Sequence, residues 1–168
     1  MTSRSGVGRR VALPVVVAAI SALAVAMLGA LMTELGDWYY GLRQPPWKPP
    51  DWLFGPAWTL IFALTAAAGV AAWRDMHGKE TREWLLVLFA LNGFLNVLWS
   101  LLFFRLQRPD WAQFEVAFLW LSIVVLIVYV GRHSRLAAGL LLPYLAWVTF
   151  AAVLNGAVVR LNAPFGDG

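Results

Sequence analysis

The sequence predicts an all-α membrane protein, a five-transmembrane-helix bundle forming one domain over residues 1–168, with a structured Trp/Pro-rich loop between helices 1 and 2. Three observations carry this expectation. The 168 residues are 61% apolar and 13% charged, against roughly 25% charged in a soluble domain, so water is the wrong solvent. Five nearly uncharged runs, at 13–33, 55–73, 84–104, 112–130 and 136–159, are each long enough to cross a hydrocarbon core of about 30 Å. Between the first two lies WYYGLRQPPWKPPDWLFGPAW, residues 38–58, with four of the ten tryptophans and five of the nine prolines.

Run 13–33 is rich in Leu, Val and Ala, and Ala18, Ala22, Ala26 and Ala30 repeat every fourth residue. That seam of small residues suits close helix packing, within the chain or in a homodimer. A cleaved signal peptide is the competing reading, given Arg4, Arg9 and Arg10 ahead of it, but the run exceeds the 7–15 residues of a signal h-region. In residues 38–58 the prolines fix φ and remove donors, so the stretch is expected to form neither a helix nor an interior strand. Its tryptophans are too dense for a flexible linker. A rigid loop at the membrane surface follows.

The later runs show no period-2 alternation, which disfavours a β-barrel and leaves helices, the other way to satisfy backbone groups in lipid. Their short connections make successive helices antiparallel neighbours. In run 84–104, Asn92, Asn96, Trp99, Ser100 and Phe103 fall mostly on one helical face, and in run 136–159 Pro143, Trp147, Ala151 and Asn155 recur every four residues. A carboxamide facing lipid costs several kcal/mol, so Asn92, Asn96 and Asn155 are expected to face inward. They serve either as interhelical glue, at about 0.6 kcal/mol each, or as the few polar contacts of an apolar ligand pocket. Trp73, Trp84 and Trp111 read as interfacial anchors, whereas Trp99 and Trp147 sit too deep for that.

Orientation follows from the basic residues. Arg4, Arg9, Arg10, Arg74, Lys79, Arg82, Arg132 and Arg135 fall on one side and Arg43, Lys48, Arg105, Arg108 and Arg160 on the other, eight against five. This favours a cytoplasmic N-terminus in a multi-pass integral membrane protein. The same scatter over short segments argues against a nucleic-acid-binding stripe, despite a net charge of +4.

The chemistry on offer is narrow. Zero cysteines exclude disulfides and thiolate ligands, and both histidines, His77 and His133, lie between the runs, which excludes an axial-histidine cytochrome. No metal site is expected. Glu115 is the one acid within a run and is expected to snorkel or cap, so ion-coupled transport is disfavoured. A phosphate loop, a nucleophile elbow and paired carboxylates are missing, so no catalytic residue is assigned.

Three motifs in order, residues 38–58, LNGFLNVLWSLLFF (91–104) and LPYLAWVTFAAVLN (142–155), resemble the TspO/MBR family of translocator proteins, also called tryptophan-rich sensory proteins, over about residues 35–162. The resemblance implies a five-helix bundle, often a homodimer, with a pocket closed by the first loop. It implies binding of protoporphyrin IX or another tetrapyrrole, and of isoquinoline carboxamide or benzodiazepine-type drugs, as sensor, scavenger or carrier. No cofactor is obligatory, since the porphyrin is the ligand. Carried over by motif, the ligand-binding positions are Trp38, Tyr39, Trp58, Phe62, Asn92, Asn96, Trp99, Trp147, Ala151 and Leu154, with Arg43 and Lys48 as contacts for propionates or lipid headgroups. Phe62 stands where many relatives have tyrosine. Gly156 stands where the cholesterol-type motif of animal members wants an aromatic, which disfavours cholesterol. The alternatives are a light-dependent porphyrin-degrading enzyme, running on the bound macrocycle's own photochemistry with tryptophans as electron donors, and a structural or assembly protein without a specific ligand.

Overall fold

The computed structural model describes residues 5–165, with side chains from residue 15 onward. Arg4 therefore lies outside the described residues, as do the side chains of Arg9 and Arg10. Five helices are long and apolar enough to span a membrane: α1 (Ser5–Met32), α3 (Phe54–Asp75), α4 (Lys79–Ser100), α5 (Pro109–Gly131) and α6 (Arg135–Asn162). They form the expected bundle. A short helix, α2 (Asp37–Gly41), and a 3₁₀ turn (Asp51–Leu53) interrupt the first connection.

Helix ends lie further out than the apolar runs suggest, because charged first turns are also helical. α4 begins at Lys79, whose ammonium stands 3.6 Å from Glu83 one turn on. α5 opens with Pro109 in its first turn, where a missing N–H costs nothing. α6 is capped by Ser134, whose hydroxyl accepts from the Ala137 N–H at 3.3 Å. It then runs unbroken past Pro143. α4 continues into a π-helical turn, Leu101–Arg105, in which the Leu106 N–H donates to the Leu101 carbonyl five residues back, at 2.9 Å.

The first loop departs in part from expectation. Residues 37–41, including Trp38 and Tyr39, are helical: no proline occurs before Pro45, and Asp37 sits in the first turn where a carboxylate suits the helix dipole. From Pro45 to Pro50 the chain is irregular, as the prolines require.

α5 packs along α6 and α4, while α1 lies against α3 and α4. At one end of the bundle, fully buried Ala68, Ala72 and Ala137 let the helices approach closely around Met76, Leu85, Leu126 and Leu141. Ile61, Val116, Leu119, Ile123, Tyr144 and Val148 fill the middle. At the loop end Tyr39, Phe103, Ala112 and Val158 close the core. α1 comes close to α4 at Gly93, where an added Cβ would stand 2.9 Å from Val25 Cγ2.

Glu115 corrects the expectation of a snorkelling or capping acid. It is 6% exposed, and neither carboxylate oxygen has a hydrogen-bond partner among the described residues. α5 starts at Pro109, so Glu115 is already in its second turn, on the face turned into the bundle.

Candidate functional site

A cavity of about 1010 Å³ lies between α1, α3, α4 and α6 beneath the first loop. Its aromatic walls come from helical spacing. Trp58 and Phe62, one turn apart on α3, stack at 5.3 Å with planes 25° apart. Trp99 and Phe103, one turn apart across the junction of α4 with the π turn, stack at 5.2 Å and 25°. α6 contributes Trp147, whose ring meets Trp58 edge-on at 6.5 Å, and then Ala151, Leu154 and Asn155 on the same face. The π turn matters here because its extra residue sets Phe103 and Phe104 together against Trp99, at 5.2 and 6.0 Å.

α1 supplies the fourth wall. Ala22, Ala26 and Ala30, read above as a close-packing seam, line this cavity, and Ala18 lines a second one. Small side chains here leave space between α1 and the bundle instead of closing it.

The roof is the first loop, tied down at two points. The Tyr39 hydroxyl donates to Asp51 Oδ1 at 2.8 Å, Lys48 pairs with the same carboxylate, and the Lys48 ammonium stands 5.4 Å from the Tyr39 ring centre. Burial, and then the bond to Asp51, push the Tyr39 hydroxyl well above the usual tyrosine range, so it stays protonated as a donor. At the second point the Arg43 N–H donates to Asn162 Oδ1 at 2.7 Å, and Asn162 Nδ2 donates back to the Arg43 carbonyl at 2.9 Å. Outside the cavity, Trp47 leans edge-on against Phe150 at 6.1 Å.

Of the residues singled out from sequence, Tyr39, Trp58, Phe62, Asn96, Trp99, Trp147, Ala151, Leu154 and Lys48 line the cavity. Trp38, Asn92 and Arg43 do not. Trp38 packs edge-on against Phe103 at 6.2 Å, behind the wall. Asn92 lines the second cavity and donates to Ser122 Oγ at 2.8 Å. The Arg43 side chain is exposed outside the lining, while its backbone holds the Asn162 clasp.

The asparagines therefore divide. Asn92 and Asn96 do act as interhelical glue, Asn96 Nδ2 donating to the Tyr144 hydroxyl at 3.2 Å. Asn155 is 1% exposed, lines the cavity, and has neither its amide nitrogen nor its oxygen paired among the described residues. Trp99 Nε1 and Gln44 Nε2, on residues that also line the cavity, are likewise unpaired. Asn155 and Phe103 are two of the lining residues that motif reasoning left off its site list; Gln44, Phe54, Ser100 and Phe104 are others. The signal for Asn155 and Phe103 was present in four-residue steps, from Ala151 to Asn155 and from Trp99 to Phe103. The cavity thus combines large flat apolar walls with a few unpaired donors and one unpaired acceptor, the make-up of a site for a flat, mostly apolar ligand carrying polar edges.

Comparison with known proteins agrees with this architecture. The TspO/MBR family model matches residues 12–161. The chain is 39% identical over 153 residues to the tryptophan-rich protein TspO of Archaeoglobus fulgidus, covering 90% of this chain and 98% of that one. It is 34% identical over 140 residues to a tryptophan-rich sensory protein of Cereibacter sphaeroides, covering 83% and 85%. It is 32% identical over 132 residues to the human translocator protein, covering 78% of each. With its five helices, its tryptophan-walled cavity and a family match over nearly its whole length, the chain belongs to the TspO/MBR family.

Proposed function

We propose that this membrane protein binds tetrapyrroles such as protoporphyrin IX, and related flat hydrophobic ligands, in the cavity beneath the first loop. There it acts as a sensor, scavenger or carrier. The observation that carries this reading is the pairing of stacked aromatic walls, Trp58–Phe62 and Trp99–Phe103, with the unpaired amide of Asn155. A macrocycle between Trp58, Trp99 and Trp147 withdraws much of its apolar area from water, and Asn155, Trp99 Nε1 and Gln44 give its edges partners. Lys48 is the cation in the lining suited to a propionate. Asp51 already neutralises part of its charge, so that contact adds orientation more than affinity.

The test is tryptophan quenching by protoporphyrin IX in purified protein. A saturable micromolar curve, weakened by Trp147→Ala and unchanged by Trp84→Phe at an exposed site, supports the pocket. A linear curve insensitive to both substitutions is partitioning into the micelle and refutes it. By the charge bias, the N-terminus faces the cytoplasm. The cysteine-free sequence makes single-cysteine labelling at positions 77 and 107 a direct test: only the 77 probe is shielded from an impermeant reagent added outside.

A further inference from the structure

A second cavity, of about 790 Å³, lies toward the opposite end of the bundle between α1, α3 and α4. It is separated from the first by Ala22, Phe62, Ala66 and Asn96, which line both. Gly69, Leu85, Leu86 and Phe89 make its interior mostly apolar, and the polar residues at its inner end, Asn92 and Asn96, are turned to Ser122 and Tyr144. Ser21 and Thr65 are its small hydroxyl residues, and Thr65 Oγ1 is buried without a partner among the described residues.

Two arginines stand at its mouth. Arg82 Nη2 donates to the Trp73 carbonyl at 3.3 Å and its guanidinium lies 4.9 Å from the Trp73 ring centre, while its Nε is buried without a partner. Arg74 lines the same mouth and is exposed. Neither is in an ion pair among the described residues, and nearby Glu83 is turned to Lys79. A cation pair at the rim of an apolar hole calls for an anion with a long apolar tail.

The dimensions say how long that tail is. Arg82 and Asn96, at the two ends of the α4 lining, are about fourteen residues apart, or about 21 Å along a helix. An extended alkyl chain advances roughly 1.3 Å per carbon, from C–C bonds near 1.5 Å at tetrahedral angles. The cavity therefore takes about sixteen methylenes below the rim.

We propose that this second cavity is a binding site for one long-chain fatty acid. Its carboxylate is held by Arg82 and Arg74, and its alkyl chain lies between α1 and the Gly69–Phe89 wall. A terminal carboxylate is compact enough to reach a guanidinium drawn into the rim, and its two oxygens match the guanidinium fork. A phosphodiester carries glycerol on one side and its headgroup on the other, so it presents a bulkier group to Arg82 than a terminal carboxylate does. The site is distinct from the tetrapyrrole pocket and does not depend on that reading.

The test is displacement of cis-parinaric acid from the purified full chain in nanodiscs by saturated fatty acids of 8 to 18 carbons. The expected result is saturable binding of one probe per protomer. Affinity should rise about fourfold per methylene and level off once the chain exceeds the cavity, while methyl palmitate should compete at least tenfold more weakly than palmitate. Arg82→Gln should weaken palmitate at least tenfold, with Arg82→Lys recovering part. Gly69→Leu should abolish binding by filling the cavity, since an added Cβ there already meets Phe89 at 3.6 Å. A folding control is an unchanged circular-dichroism melt in each variant, with Gly69→Ala as the milder replacement if Gly69→Leu fails it. Equal competition by palmitate and methyl palmitate, or insensitivity to Arg82→Gln, overturns the proposal. So does quenching by dibromo-phosphatidylglycerol that palmitate cannot displace, which would make the cavity a seat for bilayer lipid.

Discussion

Asn155 and Asn96 differ by what they touch, and the difference predicts opposite signs for the same substitution. Asn155 is 1% exposed and its amide has no partner among the described residues. A buried unpaired polar group costs about 1–3 kcal/mol, and replacing it with an apolar side chain of similar volume removes that cost. Asn155→Leu should therefore stabilise the ligand-free protein by about 1 kcal/mol or more, raising its thermal midpoint by about 2–4 °C per kcal/mol for a chain of this size. The same change removes a hydrogen bond to ligand worth about 0.5–1.5 kcal/mol, weakening protoporphyrin by about 2- to 12-fold. Asn96→Leu removes one of the amide partners of the Tyr144 hydroxyl, buried at 2% exposure, and should destabilise by about 1–3 kcal/mol. The assay is a thermal melt in one detergent with and without protoporphyrin IX. If Asn155→Leu melts below the parent protein, its amide is part of the helix packing and the reasoning fails.

Three further outcomes can be checked together. Trp147→Ala should weaken protoporphyrin by about 10- to 100-fold, since one aromatic face contributes about 1.5–3 kcal/mol, whereas Trp111→Phe at a half-exposed site should leave the titration unchanged. Gly93→Ala should destabilise by about 1 kcal/mol or more because its Cβ meets Val25 Cγ2 at 2.9 Å; Val25→Ala should relieve this, and a double-mutant cycle with no coupling would contradict the contact. The raised ionisation range of Tyr39 gives a pH signature. An unfolded tyrosine loses its proton near pH 10 while the folded one keeps it, so this contribution is constant below about pH 10 and falls as pH rises above it. Tyr39→Phe should flatten that alkaline limb of the melting profile and increase protease cleavage in residues 42–50.

The bundle was legible because a span is written in apolar length, a signal that survives any detail of packing. Helix ends were less so: Lys79, Glu80, Arg82 and Glu83 look like a loop, yet form one turn whose charges reach solvent from a helical backbone. Most of the pocket wall could be read from four-residue steps such as Trp58–Phe62 and Trp147–Ala151. What could not be read was the π turn, which sets Phe104 beside Phe103 against Trp99, and the choice of partner for each buried amide. Asn92, Asn96 and Asn155 look equivalent as letters. Only the neighbouring helices, with Ser122 and Tyr144 in reach of two of them, make the third different. The alanines of α1 carry the same lesson, since small residues allow close approach and open space alike.

The exchange between the Arg43 backbone and the Asn162 side chain joins positions 119 residues apart. A ribosome makes Arg43 well before Asn162, so until α6 is synthesised the first loop waits for an anchor that does not yet exist. Until α6 is in place the chain also lacks Trp147 and Asn155. Ligand binding is thus expected to be an all-or-none property of the completed chain, and chains arrested before residue 134 should show no saturable quenching by protoporphyrin.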